Sequence, residues 1–274
     1  MASRDGYFAP DSVIRRVGNS PLVPLLGGGP AVLLQVAHPL VAAGVVDHSD
    51  YRRDLWPRLL RTLRALYLIV YGSKAEADRA AGTVQAVHAF VRGTTRARLA
   101  PFPVGTSYSA ADPELMFWVH ATLVETSLTV YHRFVRRLGL EEQEAYYREM
   151  ALVARLFGTP GKVIPPTLAA FREYLRSELA SPHICVTAPA RDVAEVILHA
   201  PLPAPMRLIL PAHRLSTAAL LPPRLRAEYG LRWDPGRALA LQAAALSIRF
   251  AAVPLFLAAE RLSPPAFALA PWAP

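Results

Sequence analysis

Apolar residues recur at helical spacing along most of this 274-residue chain, and few segments alternate with the two-residue period of a strand. Between Pro57 and Tyr71 the leucines follow a helical repeat, while Arg58, Arg61 and Arg64 recur at every third position. A chain of this length can bury a large core. The pattern predicts an all-α fold, with the whole chain forming a single large helical domain of the globin-like or bundle-like kind.

Capping residues, glycines and prolines divide this pattern into separate helices. Ser73 followed by Glu76 is a capping box, and Asp112 is a strong helix start. We interpret Gly27-Gly28-Gly29 as the turn that opens a helix, and Pro39 as a kink or a break in that helix. The predicted helices cover Asp11–Val17, Pro30–Val46, Pro57–Tyr71, Ser73–Arg92, Asp112–Leu138, Glu141–Phe157, Pro166–Leu179, Asp192–His199, Arg207–Leu220, Arg224–Tyr229 and Pro235–Leu262.

Composition limits the classes of function. With 53% hydrophobic and 19% charged residues, the chain is typical of a folded, apolar globule and not of a disordered segment. The net charge of +9 comes almost entirely from arginines, but these are dispersed, so we expect no nucleic-acid partner. A GC-rich genome would by itself produce this excess of arginine over lysine. Alternatively, the positive charge favours peripheral contact with anionic lipid, through the apolar segment Ala238–Ala259.

Several familiar sites are excluded by the residues present. Cys185 is the only cysteine, which rules out an internal disulfide and a cysteine-based zinc site. No P-loop, nucleophile elbow or His-Glu-x-x-His segment occurs. Residues 1–12 lack the apolar core of a secretory signal, and no uncharged apolar run reaches 18 residues. We therefore expect a cytoplasmic protein, with membrane association as the alternative.

Histidines embedded in apolar helices are the candidate functional groups. His120 shares a predicted helical face with Met116, Phe117 and Val124. A buried imidazole needs a partner, because an unpaired buried polar group costs about 1–3 kcal/mol. That partner is either a carbonyl or hydroxyl of the protein, or a metal ion. The absence of any Glu-x-x-His pair argues against a di-iron carboxylate centre.

Other histidines offer further candidates. His88 and Arg92 are four residues apart on a predicted helix and would project from one face, unless His88 is simply a satisfied core residue. His38 precedes a proline in mid-helix, where it would bond a carbonyl freed by the kink or the edge of a cofactor. Glu125 and His132 are two turns apart; they would flank one site or lie on an exposed surface.

Four segments, taken together, resemble the oxygenase MpaB / rubber oxygenase (latex-clearing protein) superfamily. They are Gly28–Ser49, Arg58–Ser73, His88–Gly93 and Tyr108–Leu123. Their order and spacing agree across residues 25–180, which form the recognisable core. The proline-rich residues 181–274 match more loosely.

This resemblance implies an all-α protein that binds haem b and uses dioxygen to oxygenate or cleave a hydrophobic substrate, such as an isoprenoid or lipid chain. The segment around His120 is similar to the one that carries the proximal ligand, so the resemblance implies His120 as the ligand of the haem iron. His38, Arg61, Thr62 and Trp118 are the further residues expected to contact the haem, with arginine paired to its propionates.

The chain departs from the family on the distal side, where rubber oxygenases carry arginine, lysine and threonine. The corresponding stretch here carries His88 and Arg92, and no lysine occurs between Lys74 and Lys162. This argues against a lysine-capped iron and against rubber as the substrate. We expect His88 and Arg92 to be catalytic, His88 as the hydrogen-bond donor to bound oxygen. If His88 is instead a sixth ligand, the protein is a non-catalytic haem- or lipid-binding protein.

Overall fold

The computed structural model describes residues 5–52, 55–200, 207 and 210–252. Within these ranges the chain forms twelve α-helices and one two-stranded antiparallel sheet, so the prediction of a predominantly all-α fold is confirmed. The elements in chain order are α1 (Val13–Gly18), α2 (Leu22–Val36), α3 (Pro39–His48), α4 (Leu55–Tyr71), α5 (Lys74–Phe90), β1 (Arg92–Thr94), β2 (Ser107–Ser109), α6 (Pro113–Val130), α7 (Leu140–Leu156), α8 (Leu168–Ala180), α9 (Ala188–Leu198), α10 (Leu210–Leu220), α11 (Pro223–Glu228) and α12 (Pro235–Ser247).

Helix α2 lies at the centre of the core, where it packs against α3, α6, α9 and α10. Gly27-Gly28-Gly29 lies inside this helix, so its interpretation as a helix-opening turn was wrong. A Cβ atom on Gly27 would lie 3.4 Å from Val130 Cγ2 at the end of α6, close to an ordinary contact. A Cβ on Gly29 would lie 2.3 Å from Thr217 Oγ1 on α10. Gly29 therefore lets α10 approach α2 closely.

Of the kink or break predicted at Pro39, the structure shows the break: α2 ends at Val36 and α3 begins at Pro39, with a bend of 104° between them. His38 is consequently not in mid-helix, as predicted, but is the N-cap of α3, where its Nδ1 accepts a hydrogen bond from the Leu40 N–H at 3.3 Å. Within the described ranges no single helix is long and apolar enough to cross a membrane; α2 and α3 pass that test only as a bent pair.

The capping box predicted at Ser73 is present. Ser73 Oγ accepts from the backbone N–H of Glu76, and the Glu76 carboxylate accepts from the Ser73 N–H at 2.8 Å. Helix α5 ends at Phe90, however, and Arg92 begins strand β1. His88 and Arg92 therefore do not share a helical face, because the chain has become extended between them.

The β1–β2 hairpin, which sequence patterns did not predict, lies against the end of α3. Its register pairs Gly93 with Tyr108. The Tyr108 hydroxyl donates to Asp47 Oδ2 at 2.5 Å, and the His48 ring nitrogen Nε2 lies 3.1 Å from the carbonyl oxygen of Arg92. Asp47 and His48 thus hold the hairpin against the end of α3.

Helix α6 begins where its cap predicts, with the Asp112 carboxylate accepting from the backbone N–H groups of Glu114 and Leu115. A π-helical turn over Tyr131–Val135 continues it, and a second π-helical turn, Ile248–Ala252, follows α12. The remainder of the predicted helix Pro235–Leu262 lies outside the described residues. Helices α9 and α10 both pack on α2, so this part of the chain beyond residue 180 shares its core with the preceding residues.

Candidate functional site

His120 lies in the first half of α6 with its side chain inside the protein. The residue is 5% exposed, and its Nε2 atom is buried with no hydrogen-bond partner in the part of the chain that the structure describes. Buried polar atoms almost always have a partner in folded proteins. The unpaired Nε2, whether it carries a lone pair or a proton, is therefore available to bind a ligand.

Burial keeps this imidazole neutral. Removal from water lowers the pKa of His120 from 6.5 to about 4, and the nearby backbone carbonyl of Met150 on α7 partly opposes the shift. At neutral pH one of the two ring nitrogens carries a proton, and the other has a free lone pair. A neutral imidazole of this kind is the form that binds metals.

An aromatic ring lies beside the buried histidine, and a second ring packs on the first. The Phe117 ring centroid lies 6.4 Å from that of His120, and Tyr174 of α8 packs on Phe117 at 4.9 Å. Trp118 is buried toward α2, where its indole N–H donates to the carbonyl of Gln35 at 3.2 Å. The indole N–H of Trp118 thus already has a protein partner, and the contact of Trp118 with a cofactor stays a prediction.

The residues predicted to act on the distal side or to contact the haem from α4 are found in two different environments. His88 on α5 is half-buried, its Nδ1 is enclosed without a partner among the described residues, and burial lowers its pKa. Arg92 is exposed on β1, and Arg61 and Thr62 are exposed on α4, where the Thr62 hydroxyl donates to the Arg58 carbonyl. The structure thus leaves His88 as a second enclosed imidazole and places the two arginines at the surface.

His38 belongs to a stack of three rings that no local sequence pattern indicates. The Phe102 ring lies between His38 and His183, with a centroid separation of 5.6 Å on each side. Burial and then the charge of His183 lower the pKa of His38 to about 4, while Asp112 acts in the opposite direction. This stack joins the start of α3 to the segment that follows α8.

Glu125 and His132 line one cavity of about 680 Å³ with arginines from several elements. The alternative in which these two residues flank a common site is therefore the one that the structure favours over a simple exposed surface. His120 is not among the residues that line this cavity.

Together, these features define an all-α protein with a buried, neutral imidazole available to a ligand. The sequence model of the family described as "ER-bound oxygenase mpaB/B'/Rubber oxygenase, catalytic domain" matches residues 15–250, and the chain belongs to this family. The suspected superfamily is thereby confirmed, and with it an oxygenase-type catalytic domain.

Two mycobacterial relatives are also similar to this chain. They are an uncharacterised protein of Mycobacterium bovis and an uncharacterised protein of Mycobacterium tuberculosis. Each is 30% identical over 212 residues, which cover 74% of this chain and 78% of the relative. No solved structure matches the chain.

Proposed function

We propose that the protein is a haem-b-dependent oxygenase in which His120 holds the iron and the substrate is a hydrophobic small molecule. The observation that carries this proposal is the buried Nε2 of His120, which lacks any partner in the described part of the chain. Membership of an oxygenase family supplies the reaction class. Haem bound at this nitrogen would supply the chemistry that activates dioxygen.

The residues around His120 fit the role of a proximal ligand. The ring is neutral at physiological pH, as a metal-binding imidazole must be. A ligating histidine also needs an acceptor for its other N–H, which fixes the ring and raises its basicity. The backbone carbonyl of Met150 is the group that would accept this proton, leaving Nε2 for the iron.

His88 is proposed as the polar residue of the distal side. Its enclosed Nδ1 has no partner among the described residues, and desolvation favours its neutral form, which carries one N–H to donate. A donor held in an apolar environment stabilises negative charge that develops on a bound substrate more strongly than a donor in water. Arg61 and Arg92 remain the proposed partners of the propionates, from the exposed surfaces of α4 and β1.

The substrate class rests on the family and on the apolar interior. The family description names rubber, a hydrophobic polymer, as the substrate of some members. His120 here is buried beside Phe117, on which Tyr174 packs, an environment that suits an olefin or lipid chain better than a charged metabolite. We therefore propose an isoprenoid or lipid-like molecule of low polarity.

The second enclosed imidazole also supports a competing function. If both His88 and His120 bind the iron, the protein is a non-catalytic, six-coordinate haem protein. This alternative predicts a low-spin spectrum that His88→Ala converts to a five-coordinate one, and no oxygen consumption with any olefin. The oxygenase proposal predicts oxygen uptake by the wild-type protein and its loss in the same variant.

Haem loading of His120→Gly tests the assignment directly. The full chain is produced with haem, and the Soret absorbance per protein is compared for wild type, His120→Gly and His199→Gly, an exposed histidine that serves as the control. We expect His120→Gly to lose the Soret band and to regain it when imidazole is added. Undiminished haem binding by His120→Gly, with no response to imidazole, would contradict the proposal.

A further inference from the structure

A cavity of about 680 Å³ lies where α6 and its π-helical continuation meet α8 and α12. Four arginines line it: Arg133 from the π-helical turn, Arg137 from the loop after that turn, Arg172 from α8 and Arg249 from the turn after α12. Four guanidinium groups around one cavity give it a concentrated positive field.

In the described ranges, none of these four arginines has a carboxylate oxygen within 4.0 Å. Arg249 donates to the carbonyls of residues 132 and 133, and Arg172 donates to the amide oxygen of Gln143. These acceptors are neutral, so the hydrogen bonds do not compensate the positive charges of Arg172 and Arg249.

One carboxyl group, that of Glu125, shares the lining with the four guanidinium groups. Burial raises its pKa, whereas the hydrogen bond from the Thr129 hydroxyl at 3.2 Å and the charge of Arg172 lower it. A single carboxylate can balance only one of the four positive charges. Burial lowers the pKa of His132, and so do the charges of Arg137, Arg249 and Arg172, in that order. The positive charges of these three arginines therefore all act on the His132 imidazole.

We propose that this cavity binds an amphipathic anion, with its carboxylate or phosphate head among the arginines and its aliphatic chain on the adjoining apolar wall. Guanidinium groups bind both kinds of head through paired N–H donors. The wall consists of Leu128, Ala245 and Leu246, and Leu246 is 56% exposed. An anion would relieve the repulsion among the arginines, and a chain would cover the exposed leucine.

This site is separate from the one around His120. Glu125 follows His120 by five residues, which places it roughly 140° further around the helix axis at 3.6 residues per turn. The cavity lining and the surroundings of His120 share no residue in the described structure. The inference is therefore independent of the proposed haem ligation.

Calorimetric titration of the full chain at low salt tests the proposal with four probes: octanoate, octyl phosphate, inorganic phosphate and octanol. We expect both amphipathic anions to bind, and octanol and inorganic phosphate to bind at least about tenfold more weakly, a difference that titration resolves readily. Equal binding of octanol would remove the role of charge, and equal binding of inorganic phosphate would remove the role of the chain. No binding of either amphiphile would overturn the proposal outright.

Charge reversal locates the binding. Arg137→Glu and Arg172→Glu change exposed side chains and leave the core intact, so both variants should fold. We expect each to weaken octanoate binding by about tenfold or more. Arg79→Glu, on the exposed face of α5, makes the same change in net charge outside the cavity and should leave the affinity within about twofold. Unchanged binding by Arg137→Glu and Arg172→Glu would contradict the assignment to this cavity.

Discussion

At the scale of single residues, two adjacent glycines of α2 have opposite surroundings. A Cβ atom on Gly29 would lie 2.6 Å from His213 Cε1 as well as against Thr217, whereas a Cβ on Gly28 would meet nothing within 4 Å. Because both positions are helical, helix propensity favours alanine equally at each. Any difference between the two substitutions therefore reports the packing of α10 on α2.

Alanine at these two positions should change stability in opposite directions. We expect Gly29→Ala to lower the free energy of unfolding by about 1–3 kcal/mol, since α10 must move away. Gly28→Ala should raise it by roughly 0.5–1 kcal/mol, because alanine restricts the unfolded chain. Urea denaturation of both variants measures the two changes. Equal stability of the variants would show that Gly29 does not set this helix contact.

His38 should make stability depend on pH. Its pKa is about 4 in the folded protein and 6.5 when unperturbed, so the unfolded chain takes up the proton first as the pH falls. The free energy of unfolding is therefore highest above pH 6.5 and decreases toward pH 4, by about 1.4 kcal/mol for each unit of pKa difference. His38→Asn retains an acceptor for the Leu40 N–H and removes the titrating ring.

Urea unfolding at pH 7.5 and at pH 4.5 should therefore differ less in His38→Asn than in the wild type. Other groups that titrate in this range, His120 among them, are the same in both proteins and cancel from the comparison. An identical loss of stability in the two proteins would contradict the role of His38.

The candidate site could be predicted only in part from its residues. The apolar positions around His120 indicate burial from helical spacing alone. The absence of a partner for its Nε2 depends on what α7 and α8 present to it, which no local pattern contains. The stack of Phe102 between His38 and His183 was missed for the same reason, because loops far apart in the chain form it.

At the scale of elements, local signals predicted the helix starts that are capped by a side chain. The caps at Ser73 and Asp112 involve residues no more than three positions apart, so they can be recognised from the sequence. The break between α2 and α3 lies at Pro39, where the sequence predicts a kink or a break, whereas the end of α5 before Arg92 accompanies the pairing of β1 with β2. The arginine-lined cavity likewise requires helices that are far apart in sequence.

The capping box of α5 gives a quantitative prediction. Ser73→Ala removes the acceptor of the Glu76 N–H and should lower the free energy of unfolding by about 1 kcal/mol. Ser177→Ala, at an exposed position within α8, is the matched control and should change it by less than about 0.5 kcal/mol. Chemical denaturation of the two variants would contradict the prediction if Ser73→Ala proved no more harmful than its control.

At the scale of the whole molecule, residues beyond 180 are part of the same packing arrangement as those before. Tyr229, which follows α11, donates to the carbonyl of Leu33 on α2 at 2.7 Å, and the backbone N–H of Cys185 donates to the carbonyl of Ala37 at 2.8 Å. The family resemblance singled out residues 25–180, but α2, which belongs almost wholly to that segment, packs both against α3 and α6 and against α9 and α10 beyond it.

A chain that ends at residue 180 should therefore fail to fold. Removing α9 and α10 would expose the face of α2 that carries Gly29, and would leave the Leu33 and Ala37 carbonyls without these partners. We expect the truncated chain to be insoluble, or to unfold without the cooperative transition of the full chain, as judged by circular dichroism during heating. A cooperative transition in the truncated chain would show that residues 1–180 are self-sufficient.

Gly29, packed beneath α10, and His120 are subject to different evolutionary constraints, the first on packing and the second on chemistry. Replacing this glycine would disturb the packing of α10 on α2, whereas replacing the imidazole at position 120 would remove the proposed ligand and leave helix packing largely in place. Descendants of one ancestor can consequently keep the scaffold while abandoning the reaction. Among the two mycobacterial relatives, the residue that aligns with His120 is thus a better guide to shared chemistry than overall similarity.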